Sequence, residues 1–194
     1  MRQKSVNVKR EYVIVGLGEI LWDIFPKGKH LGGAPANFAY HISVLGHRGI
    51  VASRIGKDRL GKEIVDAMAA LGLTREYIQI DSDYPTGTVN VRIGRGGAPK
   101  YTITKNVAWD FSEFDEKWKM LAGKTDAVCF GSLAQRSPES RKTIIEFLRH
   151  VRKETVRIFD INLRQNFYSP EIIAQSLKLS SIVKLNEEEL PILV

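Results

Sequence analysis

A single cysteine in 194 residues excludes an internal disulfide. Cys129 lies in the apolar run Ala127-Val128-Cys129-Phe130 and reads as a packing residue in a reduced, cytoplasmic setting. Four scattered histidines without a second cysteine offer no zinc spacing. No stretch approaches the roughly 18 apolar residues of a membrane span, and Met1–Arg10 leads into no signal-type apolar core. The net charge is +7, yet the basic residues are dispersed and no zinc finger, RNP aromatic pair or basic heptad accompanies them. Neither nucleic acid nor a membrane is therefore expected as a partner. Gly16-Leu17-Gly18 follows a strand-like run, but Leu21 stands where a dinucleotide fingerprint needs its third glycine. No Walker P-loop occurs either.

What is present is ordinary globular composition, 43% hydrophobic and 26% charged, enough for one sizeable core. Short apolar runs alternate with helical patterns. Strands are expected at 12–18, 49–55, 126–131, 156–161 and 182–185. A helix at 35–45 would bury Phe38, Ile42 and Leu45, and a second would place Leu60, Ile64, Ala67, Met68 and Leu71 on one face before Gly72 stops it. Two further helices begin at Ser137-Pro138-Glu139 and Ser169-Pro170-Glu171, with serine as cap, proline at the first position and glutamate in the first turn. From about 77 the period becomes two. Thr88, Asn90 and Arg92 alternate with Val89, Val91 and Ile93, a turn follows over 94–99, and Tyr101–Thr104 returns. The pattern describes a parallel, doubly wound α/β sheet with a small β appendage.

In such sheets ligands bind beyond the carboxyl ends of the strands. Polar residues gather there: Glu19 and Asp23, then Gly131-Ser132 with Gln135, then Asp160, Asn162 and Arg164, then Lys184, Asn186 and Glu189. Each group alone reads equally as a cap or solvated loop; Asn186 is a good N-cap for the glutamates after it. Four groups on one edge describe a polar cleft. The segment Gly32-Gly33-Ala34-Pro35-Ala36-Asn37 adds paired glycines, which let a ligand reach backbone amides, at the start of a helix carrying Asn37 in its first turn.

These stretches resemble the PfkB (ribokinase-like) carbohydrate kinases, most closely bacterial fructokinases. The resemblance is carried by Gly18-Glu19-Ile20-Leu21-Trp22-Asp23, the Gly-Gly-Ala-Pro-Ala-Asn segment, Arg54-Ile55-Gly56-Lys57-Asp58, Pro85-Thr86-Gly87-Thr88-Val89, Val107-Ala108-Trp109-Asp110, Phe130–Arg136, Phe159–Arg164 and Leu185–Leu190, in family order. It implies a three-layer α/β/α fold with a mostly parallel sheet and a β lid over about 86–104. It also implies ATP- and Mg²⁺-dependent phosphorylation of a sugar hydroxyl, with fructose as the sugar. Asp23, Gly32, Gly33 and Asn37 would bind the sugar, with Gln135 on the opposite wall and Arg164 near the transferring phosphate. Asn186 and Glu189 would serve magnesium and the nucleotide, Glu189 through water. The lid's polar face would cover the sugar, and its apolar face would pack on the core or on a second copy in a homodimer.

The family's general base stands in a D-T-x-G-A-G-D run, and no such run occurs in this sequence. The chain therefore reads as one partial kinase domain over 1–194, the sugar-binding N-terminal portion, inactive alone. A non-catalytic sugar-binding or dimerising protein of the same fold is the alternative.

Overall fold

The computed structural model describes residues 10–93 and 99–193. The first nine residues, residues 94–98 of the turn expected over 94–99, and Val194 lie outside the described residues. The first strand, β1 (Val13–Leu17), is followed by an antiparallel pair, β2 (Leu21–Phe25) and β3 (Gly28–Gly32), and by helix α1 (Ala34–Val44). Next come β4 (Arg48–Gly56), α2 (Arg59–Ala70) and β5 (Ile78–Asp81). The hairpin β6 (Thr88–Ile93) and β7 (Pro99–Ile103) leads to α3 (Glu116–Ala122), β8 (Ala127–Gly131) and α4 (Pro138–His150). Strand β9 (Val156–Asp160), α5 (Pro170–Leu179), β10 (Ile182–Lys184) and the short α6 (Leu190–Leu193) complete the chain.

Six strands form the main sheet in the order β10-β9-β8-β1-β4-β5, every adjacent pair parallel. The chain winds from β1 outward to β5 and then returns to β8 on the other side, so strand order reverses beside β1. This is where a crevice forms in doubly wound sheets. Side-chain alternation divides the core into two clusters on opposite faces of the sheet. Ile50 and Ala52 of β4 join Trp118, Ile144, Phe147 and Ile173 on the α3–α5 side. Val51 and Ile55 of the same strand join Ala36, Ala39, Ile64 and Met68 on the α1–α2 side.

Helix starts follow their local signals. Asp58, Asp115 and Ser169 each accept a first-turn N–H, from Gly61, Trp118 and Ile172. Ser137 instead donates to Glu139 at 2.6 Å. Helix α1 departs from expectation. It buries Pro35, Ala36 and Ala39 rather than a Phe38–Ile42–Leu45 stripe, and Leu45 is exposed. The helix lies too close to the sheet for large side chains: a Cβ on Gly49 would strike the Ala39 carbonyl.

The expected two-stranded lid is half of a four-stranded sheet, β3-β2-β6-β7. β6 pairs with β2 in parallel and with β7 antiparallel. The lid's apolar face packs on the core as expected, but it is this face, not the polar one, that lines a cleft against the main sheet. The apolar Val89 and Ile103 face inward, into that cleft, while Thr88 and Asn90 stand on the other face. The inward residues are buried by joining the α3–α5 core cluster, which the polar residues could not do without unpaired groups.

Candidate functional site

Strand β2 alternates strictly. Trp22 and Ile24 face α2, where the Trp22 indole donates to the Leu60 carbonyl at 3.0 Å. Leu21, Asp23 and Phe25 face the other way and form one wall of a cleft of about 890 Å³. Cross-strand pairing extends that wall. His30, Asp23, Val89 and Ile103 stand opposite one another across the four lid strands. Asp23 is half-buried, and burial pushes its carboxyl above the ordinary range against the pull of His30 and Arg164.

The paired glycines shape this wall. A Cβ on Gly32 would collide with the Asp23 carboxylate. Gly33 adopts φ of 105°, outside the reach of side chains, and a Cβ there would meet the Glu19 carbonyl. It caps α1 without a side chain, and Asn37, exposed one turn in, lines the cleft with it. No acidic residue occupies the first turn of α1. Its place is taken from a distance by Glu19, just beyond β1, whose Oε1 accepts the Ala34 N–H at 3.3 Å.

The opposite wall comes from the carboxyl end of β9. Asp160, Asn162, Leu163, Arg164 and Gln165 line it, with Asn162 and Gln165 in the left-handed region at φ 42° and 50°. Lys184 of β10 pairs with Asp160 at 3.0 Å. Gln165 reaches across and donates to the Tyr101 carbonyl on β7 at 2.9 Å. Arg164 is exposed and close enough to both Asp23 and Glu19 to oppose, without cancelling, the upward push of burial on each carboxyl.

Asp23, Gly33, Asn37 and Arg164 therefore share one cleft, with Gly32 immediately behind Asp23. Gln135 does not join them. It is 2% exposed, its amide donates to the Gly131 carbonyl and to Ser176 Oγ, and it borders a separate groove beside α4 and α5. A sugar in the cleft would have to break that buried network to reach it. Asn186 and Glu189 also stand off the cleft lining and bond each other reciprocally, Asn186 Oδ1 accepting the Glu189 N–H and Glu189 Oε2 the Asn186 N–H. Glu189 Oε1 accepts from Leu163 N at 2.8 Å, so this buried carboxylate ties the β9 and β10 loops together. Among the described residues no group of three His, Cys, Asp or Glu could cage a metal, and no helix is long and apolar enough to cross a membrane.

Tyr101 and Gln165 had no sequence signal beyond polarity near a strand end. Glu19, Asp160, Asn162 and Lys184 were visible as strand-end polar residues, but their convergence depends on the sheet order.

Known proteins share this fold. The family model described as pfkB family carbohydrate kinase matches residues 27–194. PH1459 of Pyrococcus horikoshii, an uncharacterized sugar kinase, is 28% identical over 195 residues, covering 91% of this chain and 62% of its own length. Escherichia coli fructokinase is 30% identical over 185 residues, covering 89% of this chain and 60% of its own. The chain thus spans about three fifths of the curated relatives it matches. The structure of PH1459 in complex with ATP superposes with a TM-score of 0.84 at 27% identity, over 93% of this chain and 65% of that one. Fructokinase from Xylella fastidiosa with bound ATP gives 0.81 at 22% identity, over 94% and 60%, a likeness of fold. With a family match over most of its length, the chain belongs to the pfkB family of carbohydrate kinases.

Proposed function

We propose that this chain carries the sugar-binding half of an ATP-dependent cytoplasmic kinase that phosphorylates a hydroxyl of a sugar, fructose before others. The observation that carries the reading is the meeting of Asp23, Gly33 and Asn37 with Arg164 across one cleft, at the reversal of strand order. An ionised Asp23 accepts hydrogen bonds from adjacent sugar hydroxyls, Asn37 both donates and accepts, and the glycine pair offers backbone amides. Such a set rejects analogues that lack a hydroxyl, because its own groups are left unpaired. Val89, Ile103 and Tyr101 cover the sugar with apolar surface that excludes water as a competing acceptor. Fructose is favoured by the identity to Escherichia coli fructokinase.

In the transfer, the γ-phosphorus–oxygen bond of ATP breaks as a bond to the sugar oxygen forms, and the hydroxyl proton passes to a base. Arg164 supplies positive charge where negative charge spreads over the phosphoryl oxygens. Magnesium, carried in with ATP, would supply charge neutralisation of the phosphates. Glu189, buried behind the cleft with each carboxylate oxygen already accepting a backbone N–H, would act on it only through water. The base run of the family does not occur in this sequence, so this chain alone binds sugar without turnover. Two copies would pair through the lid, whose edge strands β3 and β7 leave open ladders; light scattering reads that directly.

Titration calorimetry with fructose, glucose and ribose, with and without MgATP, tests the reading alongside a phosphorylation assay. Fructose binding without product is expected. Absence of binding to any sugar would overturn it.

A further inference from the structure

Glu19 is the one cleft-lining carboxyl that is almost fully buried, at 2% exposure. Its two oxygens have different surroundings. Oε1 accepts from Ala34 N at the start of α1, whereas Oε2 is buried without a hydrogen-bond partner. An orphaned carboxyl oxygen in a polar cleft is costly unless a ligand completes it.

We propose that Glu19 is a positioning residue of the sugar site: one oxygen pins the start of α1, and with it Asn37, to the end of β1, while the other donates a proton-borne hydrogen bond to an oxygen of the bound sugar. The inference rests on the sugar-site reading above and adds a named role within it. In the acid form Glu19 accepts through Oε1 and donates through Oε2–H, so both oxygens are satisfied when a sugar oxygen lies against it. In the ionised form the donor is gone, and a further negative charge stands near Asp23 and Asp160.

Glu19 is faced by Asp160 at the end of β9, by Arg164 in the loop after it, by Cys129 on β8, and by Asp23 and Lys184 along the cleft. Burial pushes the Glu19 carboxyl up to about 7 and Asp160 adds to the rise, against its own amide, that of Ala34, and Arg164. The acid form is thus the one present below neutral pH. Burial likewise pushes the Cys129 thiol up to about 12, so it stays protonated beside this group.

The test is fructose calorimetry on the full chain at pH 6 and pH 8.5, for the native protein, Glu19→Gln and Glu19→Ala, together with amide hydrogen exchange at Ala34 without ligand. Native affinity is expected to fall about tenfold or more between the two pH values. Glu19→Gln, a permanent donor, is expected to bind equally at both. Glu19→Ala is expected to bind more weakly at both and to lose protection at Ala34. Native binding that does not change with pH, the same pH dependence in Glu19→Gln, or full Ala34 protection in Glu19→Ala would each overturn the proposal. If no protein binds fructose at either pH, the sugar reading fails. The pinning of α1 by Glu19 is then decided by the exchange result alone, and the donor role is refuted.

Discussion

Gln165 and Tyr101 hold hands across the mouth of the cleft: the Gln165 side-chain amide donates to the Tyr101 carbonyl at 2.9 Å, joining the lid to the loop that carries Arg164. Both residues are exposed, so the bond is a weak latch of about 1 kcal/mol. Gln165→Ala is expected to raise amide exchange in β7 about fivefold while leaving global stability within about 1 kcal/mol. Unchanged exchange at 101–103 would show that the lid is held elsewhere.

Asp23 is expected to dominate sugar affinity. Hydrogen bonds to a charged group are each worth about 1.5–3 kcal/mol, so Asp23→Ala should weaken fructose binding by about tenfold to several hundredfold. Gly32→Ala should act on the same group from behind, because the new methyl displaces the Asp23 carboxylate. Calorimetry on both variants should show the loss with cooperative unfolding retained; a Gly32→Ala protein of native affinity would mean that Asp23 is not a sugar ligand.

Arg136 forms a buried fork with Asp110, 2.8 Å to each oxygen, donates to the Thr104 carbonyl just beyond β7, and stacks between Trp109 and Phe167. Replacing it by Met leaves Asp110 buried and unpaired, which costs about 3–5 kcal/mol. Urea unfolding should record that loss. Arg136→Met with Asp110→Asn should recover part of it.

Acid should unfold the protein through its structural aspartates. Burial alone would push Asp58, Asp81 and Asp126 upward, but hydrogen bonds outweigh it and hold all three below the ordinary 3.8. Asp58 accepts from Gly61 N and from both Thr86 groups, and Asp81 from Asp83 N and Tyr84 N. A depressed folded value gives stability that is present above 3.8 and lost as the pH falls below it. Glu19 has the opposite sign: its contribution is full below 4.5 and lost as the pH rises through about 7. Urea midpoints at pH 3, 5 and 8 should therefore be highest in the middle. A midpoint unchanged between pH 5 and 3 would contradict the aspartate reading.

The main α/β alternation was legible because its signals are local, as at Ser169-Pro170-Glu171, where cap, proline and acid occupy consecutive positions. Helix α3 was not among the expected helices, although Asp115 caps it ahead of the buried Trp118, Leu121 and Ala122. Strands β2 and β3 were not legible. β3 pairs only with β2, and the second partner of β2, β6, lies more than sixty residues on; only that partner makes Leu21-Trp22-Asp23 a two-faced strand. The same reason governs Gln135, whose burial depends on Ser176 forty-one residues downstream. Gly33 and Asn37 stand out in the sequence as paired glycine and first-turn amide and Asp23 as a strand-end carboxylate, and the structure brings the three to one cleft, whereas the buried state of Glu19 is a property of the assembled layers.

β1, which precedes the other described strands in the chain, is one of the two central strands of the main sheet. β1 is flanked by β4 on one side and by β8 on the other, with Ile14 opposite Gly49 and Ala127. Nascent chain must therefore lengthen past residue 131 before Val15 and Leu17, both wholly enclosed in the finished molecule, gain their second neighbour. While the more than one hundred residues between β1 and β8 are made, this greasy pentapeptide is half-covered, an interval in which a chaperone has something to hold.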